Sequence, residues 1–204
     1  MIPLEQISGL ILAGGRGIRM GQVNKGLQNF KGEPMVSHVL RRLSPQVSQI
    51  SINVNQDTDQ YKSFNCSLIP DVIPDYAGPL AGLHAGLLKC STPYLVTAPC
   101  DSPFLPLDLV ERLAHALDQH QAQLAVALTP ENLQGIIRWQ QQPVFCLVKS
   151  DLAQNLENFL QNGGRKVSDW YAHLHVVEVV FEDILSFRNI NTRAELEQYN
   201  TASN

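Results

Sequence analysis

The chain has 204 residues, 44% of them hydrophobic and 17% charged, with a formal net charge of −4. That is ample apolar material for one folded domain and unlike a disordered chain. An acidic balance without a basic footprint argues against a nucleic-acid binder. No leader of basic then apolar residues and no long apolar span is present, so no membrane role is expected and a cytoplasmic location is. Cys66, Cys90, Cys100 and Cys146 form no CxxC pair, which disfavours a zinc knuckle and suits free thiols.

Taken in order, Ile7–Leu12 reads as an apolar strand that runs into a loop with Gly14, Gly15, Gly17 and Gly21, and with Arg16, Arg19 and Lys25 as cations. A strand feeding a glycine-rich turn is how α/β proteins build phosphate sites. Glycine lets backbone N–H groups approach an anion, and Arg and Lys supply countercharge. The loop fits neither common nucleotide fingerprint. Lys25 lies between Asn24 and Gly26 rather than inside a Walker A sequence, and Met20 stands where a dinucleotide fingerprint needs its third glycine.

Lys31–Pro34 reads as a turn into a helix carrying Val36, Val39, Leu40 and Leu43 at helical spacing, with Pro34 suited to the first helical position and Pro45 ending the run. Residues 50–54 alternate as a strand that Asn53 and Asn55 close. A polar stretch then leads to a short strand over 66–69, ending at Pro70-Asp71. Leu80, Leu83, Leu87 and Leu88 define an apolar helix face, and the small Gly82, Ala85 and Gly86 allow close backbone approach. Residues 94–98 read as a central strand running into Pro99-Cys100-Asp101-Ser102-Pro103. The spacing predicts a helix over 107–117 and a strand over 124–128, then two strands over 136–148 around a turn at Gln140–Gln142. A helix over 152–160 stops at Gly163-Gly164, and Arg165-Lys166 follows, read either as a contact for the acceptor's phosphate or as a solvated charge pair. Residues 175–181 form a strand, and Thr192 with Glu195 makes a capping box for a last helix over 193–198. His38, His84, His115 and His120 fall on predicted helices and read as surface or partly buried. His173 and His175 lack a nearby third metal ligand.

This alternation argues an α/β fold, a doubly wound, mostly parallel sheet with helices on both faces, in one domain over 1–204. In such a sheet the carboxyl ends of the strands converge on one crevice. There, backbone amides with Arg19 and Lys25 would face phosphates, Asn53 and Asp71 a base or ribose, and Asp101 a divalent cation. Mg²⁺ needs only one or two carboxylates besides phosphate oxygens and water.

Leu12-Ala13-Gly14-Gly15, Arg19-Met20-Gly21 and Lys25-Gly26 resemble the signature loop of the molybdenum cofactor nucleotidyltransferases. The double glycine resembles the guanylyltransferase (MobA) family. Gly78-Pro79-Leu80-Ala81-Gly82, Pro99–Pro103 and Asn189-Ile190-Asn191-Thr192 resemble further segments of that family, in order, so the resemblance spans Gly9 to Leu196. It implies a Rossmann-like nucleotidyltransferase fold whose N-terminal part binds GTP and whose C-terminal part binds Mo-molybdopterin. Leu12, Ala13, Gly14, Gly15, Lys25, Asn53, Asp71, Gly82, Asp101, Asn189 and Asn191 would bind substrates. Arg19, Lys25 and Asp101 would be catalytic, and Asp101 would hold Mg²⁺. Molybdenum insertase, apo-molybdoenzymes or their chaperones are the partners implied. Gln22, Asn24 and Gln142 depart from the family's common residues and bear on the loop and the acceptor contacts. A cytidylyltransferase of the same cofactor, a sugar-phosphate nucleotidyltransferase and a non-catalytic nucleotide or cofactor carrier are the competing readings.

Overall fold

The computed structural model describes residues 1–15, 24–73, 78–133 and 136–201, without the side chains of Asn132 and Leu133. In chain order these form β1 (Ile7–Leu12), β2 (Asn29–Phe30), β3 (Glu33–Pro34), α1 (Met35–Leu43), β4 (Gln49–Asn53), α2 (Thr58–Tyr61) and β5 (Ser67–Ile69). There follow α3 (Pro79–Lys89), β6 (Tyr94–Pro99), α4 (Leu109–Gln119), β7 (Leu124–Leu133), β8 (Ile136–Lys149), α5 (Ala153–Gln161), α6 (Val167–Tyr171), β9 (Val176–Val180) and α7 (Arg193–Thr201).

Seven strands make one sheet in the order β5-β4-β1-β6-β8-β7-β9, and β2 with β3 makes a small hairpin. β4, β5 and β6 run parallel to β1, and β9 runs parallel to β7. β8 is antiparallel to both β6 and β7, so it alone in the sheet is reversed. The chain leaves β1 toward β4 and β5, then returns to β6 on the other side of β1. The carboxyl ends of β1 and β6 therefore flank the switch point, where open α/β sheets bind ligands.

Two cores explain the layers. Val36, Val39 and Leu43 of α1 and Leu109, Leu113 and Leu117 of α4 pack on one face of the sheet. Leu80, Leu83 and Leu87 of α3, with Leu156 and Leu160 of α5 and Trp170 of α6, pack on the other. Helices thus cover both faces, as the alternation of elements predicts.

Several local expectations change. Pro34 is the extended N-cap of α1, one position before the helix. Leu88 is exposed and off the packed face of α3. The polar connection after β4 holds α2 and a 3₁₀ turn, Lys62–Phe64. Gln140–Gln142 is not a turn, because β8 runs through it and pairs Gln140, Gln141 and Gln142 with Thr129, Leu128 and Ala127. Three glutamines are polar but bring none of the positive-φ or Asx chemistry that makes a turn.

His84, read as surface or partly buried, is fully buried in α3, and both of its ring nitrogens lack a partner; among the described residues these are the buried side-chain polar atoms left unpaired. Burial pushes its pKa below 6.5, against an opposing pull from Glu157. The neutral ring is therefore the folded form, while the unfolded chain binds a proton as pH falls through 6.5. Stability should decline below that pH until the depressed folded pKa is reached. In His84→Leu the decline between pH 7 and 5.5 should be smaller, as read by urea unfolding at each pH.

Candidate functional site

Two side-chain clusters stand side by side at the carboxyl ends of β1, β4 and β6. The end of β1 is fixed from both sides. The Ala13 amide donates to the Asn53 carbonyl at 2.8 Å, and the Cys100 amide donates to the Leu12 carbonyl at 3.1 Å. β1 thereby delivers Gly14 and Gly15 between the ends of its two neighbours.

The first cluster centres on Asp71. Asn53 Nδ2 donates to Asp71 Oδ1 at 2.8 Å and to the Ile69 carbonyl at 3.0 Å. Asn55 Nδ2 donates to Asp71 Oδ2 at 2.8 Å and to the Gly14 carbonyl at 3.3 Å, while Asn55 Oδ1 accepts the Asp71 amide at 2.8 Å. Asn53 is buried with both amide hydrogens engaged. It holds Asp71 Oδ1, while Asn55 holds Oδ2, so the half-buried carboxylate is fixed from two sides. Gly82 is required by this packing, since a Cβ there would lie 2.3 Å from Asn53 Oδ1 and 2.8 Å from its Cγ. A Cβ at Gly14 would lie 2.8 Å from both Asn53 Oδ1 and Asn55 Nδ2. A Cβ at Gly15 would meet none of the described residues within 4 Å.

The second cluster centres on Lys25. Its Nζ donates to Asp101 Oδ2 at 3.0 Å and to Asn191 Oδ1 at 2.6 Å. Both charged side chains are largely buried, at 22% and 9% exposure, so the pair is worth more than a solvated one. The segment that brings Asn191 is anchored beside it. The Ile190 amide donates to the Asp101 carbonyl at 2.9 Å, and the Ser102 hydroxyl donates to Asn189 Oδ1.

Each member is held locally. Lys25 opens a 3₁₀ turn, Lys25–Leu27. Gly26 beneath it packs against Cys100 and Tyr61, leaving no room for a Cβ, which would lie 2.4 Å from Tyr61 Oη. Tyr61 Oη donates to Asn24 Oδ1 at 2.7 Å, and Asn24 Nδ2 donates to Asp57 Oδ2 at 3.4 Å. An amide suits position 24 because it accepts on one side and donates to a carboxylate on the other. Burial raises the Tyr61 hydroxyl and the Cys100 thiol well above their ordinary pKa, with the Asp101 charge a second cause at Cys100. Both are neutral packing groups. Asn191 is fixed by the cap of α7, where the Glu195 carboxylate accepts from the amides of Asn191 and Thr192 at 2.9 and 3.0 Å.

The structure thus brings Leu12, Ala13, Gly14, Asn53, Asp71 and Gly82 into one cluster and Lys25, Asp101, Asn189 and Asn191 into the adjoining one. Arg19, Gln22 and the rest of 16–23 lie outside the described residues. Asn55, Asn24, Tyr61 and Ser102 are members that sequence reasoning did not single out as site residues. Asn55 had a signal, since it stands two residues past Asn53 beyond a strand end. Gln142 donates to the buried Thr129 hydroxyl at 2.9 Å, so it belongs to the β7–β8 arm. Arg165 donates to the carbonyls of Leu160 and Gly164 at the end of α5, which occupies the guanidinium there.

A family model described as "MobA-like NTP transferase domain" matches residues 9–176. The chain is 55% identical over 199 residues to "Molybdenum cofactor guanylyltransferase" of Ralstonia nicotianae, covering 97% of this chain and 98% of the relative. It is 52% identical over 198 residues to the protein of the same name from Bordetella petrii, covering 97% and 99%. Among solved structures, "Molybdopterin-guanine dinucleotide biosynthesis protein A" from Archaeoglobus fulgidus superposes with a TM-score of 0.73 at 22% identity, covering 95% of this chain and 96% of that one. At that identity the superposition speaks to the fold.

Two outcomes test the packing of the site. Gly82→Ala should destabilise the protein by about 1–3 kcal/mol in urea unfolding, because a buried, doubly bonded Asn53 must move. Glu195 has its pKa lowered from 4.5, chiefly by the Asn191 amide. Its stabilising share is therefore complete above about 4.5 and lost as pH falls through the lower folded value. The stability gap between Glu195→Gln and wild type should shrink correspondingly below pH 4.5.

Proposed function

The chain belongs to the MobA-like NTP transferase family, and on that footing we infer that it is a molybdenum cofactor guanylyltransferase. It transfers GMP from GTP to Mo-molybdopterin, forming the guanine dinucleotide form of the cofactor and releasing pyrophosphate. Lys25, held between Asp101 and Asn191 at the switch point of the sheet, is the observation that carries the chemistry.

In this reading the N-terminal part, around β1, β4 and β5, receives GTP. Among the described residues the amides of Gly14 and Gly15 have no acceptor, and this reading offers them to phosphate oxygens. The Ala13 amide is engaged with Asn53, so Ala13 sets the loop's position. Asp71, aimed by Asn53 and Asn55, faces the base or ribose. Lys25 neutralises phosphate charge, with Arg19 assigned the same role by the family resemblance.

Asp101 fits a divalent cation. Its Oδ2 accepts from Lys25, and among the described residues its Oδ1 has no hydrogen bond. Mg²⁺ held by one carboxylate and phosphate oxygens would supply charge neutralisation.

The acceptor's phosphate oxygen forms a bond to the α-phosphorus of GTP, and the bond from that phosphorus to the β-bridging oxygen breaks. A phosphate monoester has a second pKa of about 6, so the nucleophile is already anionic at neutral pH. No protein base is needed, and catalysis consists of positioning and charge stabilisation. The C-terminal part, reached across β6, β8 and β7, holds the molybdopterin. The dependence on GTP sets the reaction in the cytoplasm, with molybdenum insertase, apo-molybdoenzymes or their chaperones exchanging substrate and product.

Anaerobic incubation with Mo-molybdopterin, Mg²⁺ and either GTP or CTP, followed by pyrophosphate release and dinucleotide analysis, tests this. Product is expected with GTP; product with CTP alone would move the assignment to the cytidylyl reaction. Asp101→Ala and Lys25→Ala should each lower turnover more than tenfold, and wild-type turnover in either would remove that residue from the mechanism.

A further inference from the structure

The arm that β7 and β8 form beyond Leu128 takes no part in the two clusters. Its faces follow from the core beneath it. Ala125 and Ala127 of β7 pack on the α1–α4 side, and Leu124 and Val126 on the α3–α5 side. Alternation puts Leu128 and Pro130 on the α3–α5 side. Their cross-strand partners Gln141 and Trp139 share that side, as does Ile137 opposite Asn132. A hydrogen bond from Gln141 Nε2 to Glu178 Oε1 at 2.7 Å agrees, because Glu178 is level with Val126 on β9.

On that side Ile137 is 66% exposed and Trp139 51% exposed. Trp170, the other tryptophan of the chain, is fully buried and donates to Asn155 Oδ1 at 2.8 Å. The arm's base is anchored on both sides. Tyr171 Oη donates to the Pro143 carbonyl at 2.7 Å, and Gln142 donates to Thr129. Pro143, Val144 and Phe145 have no partners on β7, and such a bulge bends and twists the strand pair.

Register gives the height of the arm. Leu95 of β6 and Leu124 of β7 both pair with Val148 of β8. Asp101 stands six residues past Leu95, and Pro130, opposite Trp139, six past Leu124. β6 and β7 run in the same direction, so Trp139 rises to about the height of Asp101. β8 is the next strand to β6, and at 4.8 Å per strand the lateral offset is roughly 5–10 Å.

We propose that Trp139, flanked by Ile137, is the platform on which the pterin ring of the acceptor stacks, which places the acceptor's phosphate toward Asp101 and Lys25. The proposal rests on the acceptor reading given above. An indole face takes a fused planar heterocycle by offset stacking and is tolerant of its substituents. Val180, level with Leu128, is also exposed on this side, so a second copy of the chain seated on the arm is an outcome that the test separates from the acceptor.

Tryptophan emission and steady-state kinetics test it together. Titrating Mo-molybdopterin anaerobically into the wild type without GTP should quench the red-shifted, exposed-indole emission. Trp139→Phe, as the blank, should show only the buried Trp170 signal. In turnover, Trp139→Ala should raise the KM for Mo-molybdopterin about tenfold and leave the KM for GTP within twofold, with Trp139→Phe restoring most of the loss. An unchanged acceptor KM in Trp139→Ala, an equal rise in both KM values, or conversion of a wild-type dimer to monomer by Trp139→Ala each overturns the proposal. A wild type that shows the quenching but makes no dinucleotide refutes the guanylyltransferase reading and leaves the platform standing. A wild type that makes dinucleotide without quenching refutes the platform alone.

Discussion

The Lys25 ammonium, shared between Asp101 and Asn191, is the contact on which the arrangement at the carboxyl edge depends. It joins three segments far apart in the chain: the loop after β1, the turn after β6 and the stretch before α7. A largely buried cation has to be paired, because removing one partner leaves charge in a poorly solvated place. The three segments therefore cannot drift independently. The neighbouring bonds follow the same logic, with Ile190 on the Asp101 carbonyl and Ser102 on Asn189. The pair is also neutral in sum, so the edge is organised by its own contacts.

The other half of the edge is built by exclusion of volume. Asn53 fills the space that side chains at positions 14 and 82 would need, and its two hydrogen bonds prevent it from moving aside. α3 therefore comes close to β1 and β4 at its first turns, and Gly86 repeats the approach one turn later against Leu10. The small residues of α3 are thus a condition for placing Asp71 at the surface of the crevice.

Much of this was readable from residues alone, for identifiable reasons. Strands of apolar, β-branched residues, helices with apolar spacing, and the Thr192–Glu195 box are local signals, and β1, β4, β6, α1, α3, α4, α5 and α7 appear where those signals lie, whereas the short α2 and α6 carried none. Glycines after an apolar strand and a carboxylate between prolines mark the switch point because only strand ends collect such residues. What stayed hidden is non-local. Whether His84 is buried depends on which helices cover α3, and periodicity within one helix does not say. The polar Gln140–Gln142 run reads as a break until β7 is known to extend to Leu133 and pair with it. Asn24 looks like a departure from a family pattern, and its fitness is visible only once Tyr61 and Asp57 are beside it.

The single reversed strand, β8, has an architectural consequence. Because β7 and β8 are joined as a hairpin, both strands of the arm enter and leave the sheet at the same level, between Val126 and Cys146. An antiparallel pair lengthens or shortens by whole cross-strand steps at its tip, and the pairing below is unaffected. The half of the molecule around β1, β4 and β5 contributes no strand to that arm. The arm is therefore a module whose length and facing side chains can change without disturbing the packing around β1, β4 and β5.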